Sequence, residues 1–337
     1  MKLTRHHALR LFSKRTTIYI IGVLAGIVIV SQFLHANHLN DHVSQLESEI
    51  AYQRKELAGV LRERCSTSKI RESNTTLTFT IQSSGGERSY HVRTPAQYSY
   101  NSRTPAVIVF TGKGGTGAEF ESIAKFQDNS VLSIYPEPLR DADGITSWQG
   151  APYSPKGVSD VRFTADMIRQ LTTDFCIDAD KIYTVGMSNG GGIAYLSSCY
   201  LSDTIAATAS ISGAYYKKFQ NCPHQARPMP TLAVHSHSDV QVPYTGSVQR
   251  QLIPIETWSA QRAKDNHCKP DPKVREARTF TLTEWQECEQ EANVTLLALE
   301  DKPHGWMALP DITADPNTPD QDLSGFIWDF LRKHRRN

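Results

Sequence analysis

Residues 181–196, KIYTVGMSNGGGIAYL, decide the fold of this chain. The β-branched and aromatic run Ile182–Val185 predicts a strand, and the glycine-rich stretch after Ser188 predicts the start of a helix. Between them, GMSNG at 186–190 matches G-x-S-x-G, which chance supplies in about one chain in ten of this length. The strand–turn–helix setting makes the match specific, because a sharp turn exposes the serine hydroxyl. The alternative is an ordinary glycine-rich turn between a strand and a helix.

A catalytic serine needs a histidine to take its proton and a carboxylate to orient that histidine. In α/β-hydrolases the acid and then the histidine follow the serine, each in a loop after a strand. Asp239 follows the predicted strand 231–236, and His304 follows the predicted strand 294–300. We therefore predict Ser188, Asp239 and His304 as a catalytic triad. The alternatives are a solvated turn aspartate and a surface loop histidine.

A developing oxyanion needs preorganised hydrogen-bond donors. The backbone N–H of Asn189, directly after the nucleophile, is the first predicted donor. The second is the backbone N–H of Lys113, because residues 111–115, TGKGG, follow an early strand. This stretch does not match G-x-x-x-x-G-K-[ST], so it does not predict a nucleotide-binding loop.

Strands alternate with helices over the rest of the chain, which predicts an α/β fold with a mostly parallel sheet and helices on both faces. An apolar stripe marks the last helix, at residues 323–331. Further strands are predicted around a turn within 77–95 and at 106–110 and 130–136, and further helices at 161–171 and 189–201.

The N-terminus predicts a membrane anchor. Residues 1–15 are basic, and residues 16–34 carry no charge and are long enough to span a bilayer as a helix. The positive-inside rule places the basic tail in the cytoplasm and the remainder outside it. A cleaved signal peptide, which would make the protein secreted, is the alternative. Residues 35–64 predict a helical stalk, either a single helix or a short coiled coil that forms a homodimer, and residues 65–337 form the catalytic domain.

All six cysteines follow the predicted anchor and none forms a C-x-x-C pair, which favours disulfides in an oxidising compartment over a zinc ribbon. Six cysteines allow fifteen pairings, so this count leaves the connectivity open. The net charge of +1 gives no reason to expect nucleic-acid binding.

Three motifs resemble secreted esterases of the polyhydroxybutyrate depolymerase and feruloyl esterase type, which include acetyl xylan esterases. They are SDVRF…DKIYTVGMSNGGG within 159–192, VHSHSDVQVPYTG at 234–246 and PHGWMALP at 303–310. The resemblance covers residues 74–334 and implies a serine esterase on the α/β-hydrolase fold, with Asp239 as the acid, His304 as the base and no cofactor.

The same resemblance implies that Cys268 pairs with Cys288, and we further expect the pairs Cys199–Cys222 and Cys65–Cys176. Thr111 stands where this family has a histidine, Ser236 replaces a glycine, and no proline directly follows Trp306. These departures leave the substrate open among feruloyl or acetyl esters of polysaccharide and hydroxyalkanoate esters.

Trp148 and Trp306 are predicted substrate-facing aromatics, with core packing as the alternative. Two other functions compete with the serine esterase. The string His235-Ser-His-Ser-Asp239 could ligate zinc in a metallohydrolase, although a histidine normally continues that motif where Val240 stands here. A cell-surface binding protein without catalytic activity is the second alternative.

Overall fold

A computed structural model of the chain describes residues 69–70, 72–126, 130–219, 222, 225–310 and 322–336. Its strands, numbered along the chain, are β1 Thr76–Ser83, β2 Gly86–Arg93, β3 Thr104–Phe110, β4 Leu132–Pro136, β5 Leu139–Arg140, β6 Thr146–Ser147, β7 Ile177–Met187, β8 Ala207–Ile211, β9 Thr231–Ser236, β10 Lys273–Glu276, β11 Phe280–Trp285 and β12 Val294–Leu299. Its α-helices are α1 Gly117–Ala124, α2 Asp160–Asp174, α3 Asn189–Tyr200, α4 Ile255–Asp265 and α5 Leu323–Leu331. Short 3-10 helices lie at Lys217–Phe219 and Glu289–Glu291.

Strand β7, which leads to Ser188, lies near the middle of a ten-stranded sheet with the order β1-β2-β4-β3-β7-β8-β9-β12-β11-β10. The strands from β4 to β12 in this order run parallel to one another. An antiparallel hairpin flanks them at each end, β1–β2 at one and β10–β11 at the other. The predicted mostly parallel sheet is therefore confirmed, and its carboxyl edge presents the loops that follow β7, β8, β9 and β12.

Helices cover both faces of the sheet, as the alternating side chains of β3 show. Ile108 and Phe110 pack in one core cluster with apolar residues of α2 and α3. Val107 and Val109 point to the other face and pack in a second cluster with residues of α1 and α5. Because both faces are buried, the strand is a continuous apolar run rather than an alternating one.

Helix α3 begins differently from its neighbours. The N-cap side chains Thr116, Ser159 and Asp322 accept backbone N–H groups at the starts of α1, α2 and α5. The residue before α3 is Ser188, whose side chain makes no capping bond. Its hydroxyl is therefore not used as a helix cap.

Two of the expected disulfides are present, Cys199–Cys222 and Cys268–Cys288. Cys176 is disulfide-bonded as well, and Cys65, its expected partner, lies outside the described residues. The predicted cytoplasmic tail, anchor and stalk also lie outside them. Within the part of the chain that the structure describes, no helix has both the length and the apolar character needed to cross a bilayer.

Candidate active site

Ser188 lies in a strained turn between β7 and α3. Its backbone has φ 58° and ψ −124°, a conformation that costs a non-glycine residue on the order of 1–3 kcal/mol. The surrounding backbone holds it there. The N–H of Ser188 donates to the carbonyl of Ile211 at 2.9 Å, and its carbonyl accepts from the N–H of Ala214 at 2.9 Å. The turn leaves the serine side chain half-buried at the carboxyl edge of the sheet.

The glycines of G-x-S-x-G are required by close packing around this turn. A Cβ on Gly186 would overlap the backbone of Gly190, and a Cβ on Gly190 would overlap the carbonyl groups of Phe110 and Thr111. The helix start can therefore sit directly against strands β7 and β3 only without side chains at these two positions.

Asp239 and His304 lie side by side in the loops after the neighbouring parallel strands β9 and β12. His304 Nδ1 is 2.7 Å from Asp239 Oδ2, and the two side chains are 8% and 0% exposed. The other carboxylate oxygen, Oδ1, accepts the backbone N–H groups of Gln241 at 2.9 Å and Val242 at 2.8 Å.

Burial by itself raises the pKa of Asp239. Hydrogen bonds from the side chains of His235 and His304 and from the Val242 N–H outweigh that effect and hold the pKa well below its usual range. Asp239 is therefore ionised at neutral pH. As a carboxylate it can accept the Nδ1–H of His304, which leaves Nε2 free to act as a base.

The loop of His304 also reaches the strand beside Ser188. The N–H of Gly305 is 3.4 Å from the Oγ of Ser212 and donates to it. Ser212 follows β8, and Ile211 at the end of β8 pairs with Met187, the residue before Ser188. The structure thus brings the three predicted triad residues to one edge of the sheet.

The predicted oxyanion donors border the same turn. The N–H of Asn189 is the first of α3, where no carbonyl within the helix can accept it. The loop of Lys113 lies against the nucleophile, since a Cβ on Gly112 would be 3.4 Å from the Cβ of Ser188. Gly114 N–H donates to the carbonyl of Thr146 at 2.9 Å and fixes this loop. The role of the Lys113 N–H stays a prediction.

The two predicted substrate-facing tryptophans occupy different environments. Trp148 is 0% exposed, its Nε1 donates to the Thr111 carbonyl at 2.9 Å, and its ring meets that of Phe110 edge-on. The prediction that Trp148 faces the substrate is therefore wrong, because its ring is buried and packs behind the oxyanion loop. Trp306 is partly buried, two residues after His304, with its ring 5.4 Å from that of Phe120.

Sequence reasoning missed an aromatic pair beside the turn. The hydroxyls of Tyr153 and Tyr216 are 3.2 Å apart, and the Nζ of Lys113 lies 4.1 Å from the ring centroid of Tyr153. Tyr216 also lines a recess that reaches Asn189 and Gln149. Burial raises the pKa of Tyr216, so its hydroxyl stays protonated and can donate a hydrogen bond. No motif signals this pair, since the two residues are far apart in the chain.

The zinc alternative gains no support from the described residues. His235 is buried against the Asp239 turn, whereas the ring of His237 lies 4.0 Å from that of Tyr244. Throughout the described ranges, no three His, Cys, Asp or Glu side chains are grouped to hold a metal ion.

Comparisons with known proteins find esterases that are similar to this chain. No family model matches the chain. Feruloyl esterase B of Piromyces equi is 28% identical over 203 residues, which are 55% of this chain and 37% of that protein. Feruloyl esterase D of Neurospora crassa is 24% identical over 267 residues, 76% of this chain and 85% of that protein. A bifunctional acetylxylan esterase/xylanase of Neocallimastix patriciarum is 24% identical over 260 residues, 73% of this chain and 33% of that protein.

A solved structure, the acetyl xylan esterase from Aspergillus awamori, shares the fold with a TM-score of 0.50 and 13% identity, covering 68% of this chain and 94% of that one. The chain spans about a third of the length of the Piromyces and Neocallimastix proteins and most of the Neurospora protein. It is thus similar to feruloyl and acetylxylan esterases, as its motifs predict, and it has the α/β-hydrolase fold.

Proposed function

We propose that this protein hydrolyses carboxylic esters by a covalent mechanism with Ser188 as the nucleophile, His304 as the base and Asp239 as the residue that orients the base. The observation that carries the proposal is the 2.7 Å contact between Asp239 Oδ2 and His304 Nδ1 at the sheet edge where Ser188 lies in its strained turn. A carboxylate, an imidazole that it orients and a partly exposed serine hydroxyl are the groups that acyl transfer requires.

In the first step His304 Nε2 takes the proton of the Ser188 hydroxyl while Oγ attacks the ester carbonyl carbon. The N–H groups of Asn189 and Lys113 stabilise the resulting oxyanion. When the intermediate collapses, the bond to the alcohol oxygen breaks, and the alcohol leaves with the proton held by His304. Water then attacks the acyl-enzyme, His304 takes its proton and returns it to Ser188, and the carboxylic acid is released.

The substrates we propose are feruloyl or acetyl esters of polysaccharide. The names of the relatives support both acyl groups. Trp306, two residues after His304, is partly exposed. The Tyr153–Tyr216 pair lies near Asn189 and Lys113. Such aromatic side chains suit a phenolic ring or a sugar ring. Only the sequence motifs suggest hydroxyalkanoate esters, and these are tested as a further substrate class.

The test is a panel of p-nitrophenyl acetate, methyl ferulate, acetylated xylan and hydroxybutyrate oligomers, run with the native protein and with Ser188→Ala. Loss of the serine should lower kcat by about a millionfold, with the protein still folded. Retained hydrolysis in Ser188→Ala would exclude the serine mechanism. No hydrolysis of any ester by the native protein would favour the binding-protein alternative.

We further propose that the catalytic domain works outside the cytoplasm, anchored through residues 16–34. The pairs Cys199–Cys222 and Cys268–Cys288 support an oxidising compartment. Alkaline carbonate extraction and protease treatment of intact cells test this proposal. An anchored domain should stay with the membrane and be digested from outside, whereas release by carbonate or full protection from protease would contradict it.

A further inference from the structure

His235 lies next to the carboxylate of Asp239, the predicted acid. It is the second-last residue of β9 and only 1% exposed. Its Nε2 is 2.8 Å from the carbonyl oxygen of Val242 and 3.4 Å from Asp239 Oδ2. A carbonyl oxygen only accepts hydrogen bonds, so Nε2 carries a proton and donates it. This N–H holds the turn backbone, and its nitrogen also lies within 3.4 Å of the carboxylate.

These contacts form a closed ring around the acid. The Val242 N–H donates to Asp239 Oδ1 at 2.8 Å, and the Val242 carbonyl accepts from His235. The turn that carries Asp239 is thereby fastened to the buried strand β9. Rotation of the carboxylate away from His304 would break the Val242 bond and move Oδ2 from the His235 N–H.

We propose that His235 is a positioning residue that fixes the Asp239 carboxylate so that Oδ2 faces His304 Nδ1. This inference rests on the proposed function, because it assigns His235 a role only through the Asp239–His304 pair. A buried donor lies 3.4 Å from the carboxylate oxygen that His304 uses, and it also holds the turn. The aromatic neighbour of His235 is Tyr244, with ring centroids 6.0 Å apart.

The competing reading is a core histidine whose hydrogen bond stabilises the fold and nothing more. In that case its removal would lower the free energy of unfolding but leave the kcat of correctly folded molecules unchanged. If His235 acts through Asp239, its removal lowers kcat, and this loss depends on the carboxylate being present. A double-mutant cycle separates the two readings.

The experiment compares His235→Phe, which keeps a ring of similar shape without a donor, with His235→Gln, which keeps a donor. Each substitution is made in the native chain and in Asp239→Asn. Ser188→Ala alone serves as the control for background hydrolysis. The readouts are kcat and KM for p-nitrophenyl acetate, corrected for the fraction of active sites by burst titration. If His235→Phe does not fold, His235→Met is the second donor-free variant.

We expect the donor-free variant to lower kcat about 10- to 100-fold, as for a lost hydrogen bond to a charged group, with KM within about twofold. His235→Gln should recover most of that loss. In Asp239→Asn the same donor-free substitution should change kcat by less than about twofold. An unchanged kcat, or an equal loss in Asp239→Asn, overturns the positioning role. Full activity in Ser188→Ala instead refutes the proposed function itself.

Discussion

Asn189 and Trp148 bind each other through two hydrogen bonds: the Trp148 N–H donates to Asn189 Oδ1 at 2.7 Å, and Asn189 Nδ2 donates to the Trp148 carbonyl at 3.3 Å. Both residues are buried. The side chain of the residue after the nucleophile thus holds the segment whose indole supports Thr111 in the oxyanion loop. The two predicted oxyanion donors are linked through this pair.

Asn189→Ala should lower kcat by about tenfold, because it keeps the Asn189 backbone N–H but loosens the oxyanion loop. It should also lower the free energy of unfolding by about 1–3 kcal/mol, since the Trp148 N–H loses its buried partner. Steady-state kinetics and urea unfolding measure both effects. Ser198→Ala is the matched control in the same helix, where a buried hydroxyl donates to the Tyr195 carbonyl; it should lower stability and leave kcat unchanged. Equal kcat in the two variants would show that the Asn189 side chain does not contribute to catalysis.

Asp239→Asn should lower kcat by about 10⁴-fold, since an amide in place of the carboxylate favours the wrong tautomer of His304. His237→Asn serves as the control, because this histidine lies two residues before the acid and its side chain is 38% exposed. Kinetics with an activated ester report the change. A loss below about tenfold would indicate that another group orients the base.

Gly190→Ala should destabilise the protein by on the order of 3 kcal/mol, because its Cβ would overlap the carbonyl groups of Phe110 and Thr111. Gly144→Ala is the control: it has φ +78° and no heavy atom within 4 Å of the added Cβ. That substitution measures the cost of a positive φ alone, about 1 kcal/mol. Thermal and urea unfolding compare the two variants, and similar costs would show that close packing at the turn does not set the requirement for glycine.

Replacing Cys268 and Cys288 together by serine should lower the free energy of unfolding by about 3 kcal/mol, because the bond closes a loop with a sequence separation of 20. Urea unfolding under non-reducing conditions measures this loss. Under a strong reductant, the native protein and the double variant should become more alike. A variant as stable as the native protein would show that the loop is already ordered without the bond.

The stability of the fold should fall between about pH 6.5 and pH 4 because of His334. Burial, together with the positive charges of Lys333 and Arg227, lowers the pKa of His334 to about 4. The unfolded chain, with an ordinary histidine pKa of about 6.5, therefore binds the proton first as the pH falls. After allowance for partial exposure, we expect a loss of about 1–2 kcal/mol.

His334→Asn should remove that part of the pH dependence, measured as the difference in urea unfolding between pH 7 and pH 4.5. His267→Asn is the control, since its side chain is 72% exposed. The carboxylate of Asp239 affects stability only at lower pH. Its pKa is depressed in the folded protein, so the stability that it contributes is lost only below about pH 4. Identical pH dependence in native protein and His334→Asn would contradict the assignment.

The sequence predicted the elements that carry strong local signals. Strand β7 and the turn at Ser188 follow from a β-branched run and glycines, and α5 follows from its apolar stripe. Strand β8, with the sequence ATASI, was missed because small and polar residues fill it, although every one of them is buried. The hairpin β10–β11 was missed since its first strand has exposed side chains throughout.

The triad could be predicted because each member follows a strand in a fixed order. The surroundings of the site could not, because they depend on side chains that meet only in the folded chain. Trp148 carried no signal to distinguish an aromatic wall from the packing behind the oxyanion loop. The sequence indicates His235 only as a candidate zinc ligand, because it does not show that the ring faces the turn of Asp239.

The β10–β11 hairpin also affects how copies of this protein contact one another. Strand β10 forms one edge of the sheet among the described residues, and its Lys273, Val274, Arg275 and Glu276 are all exposed. An uncovered edge strand is a template for strands of another molecule, and charged side chains along it oppose such pairing. If many copies are crowded on one surface, this short charged strand should keep their sheets from joining into aggregates.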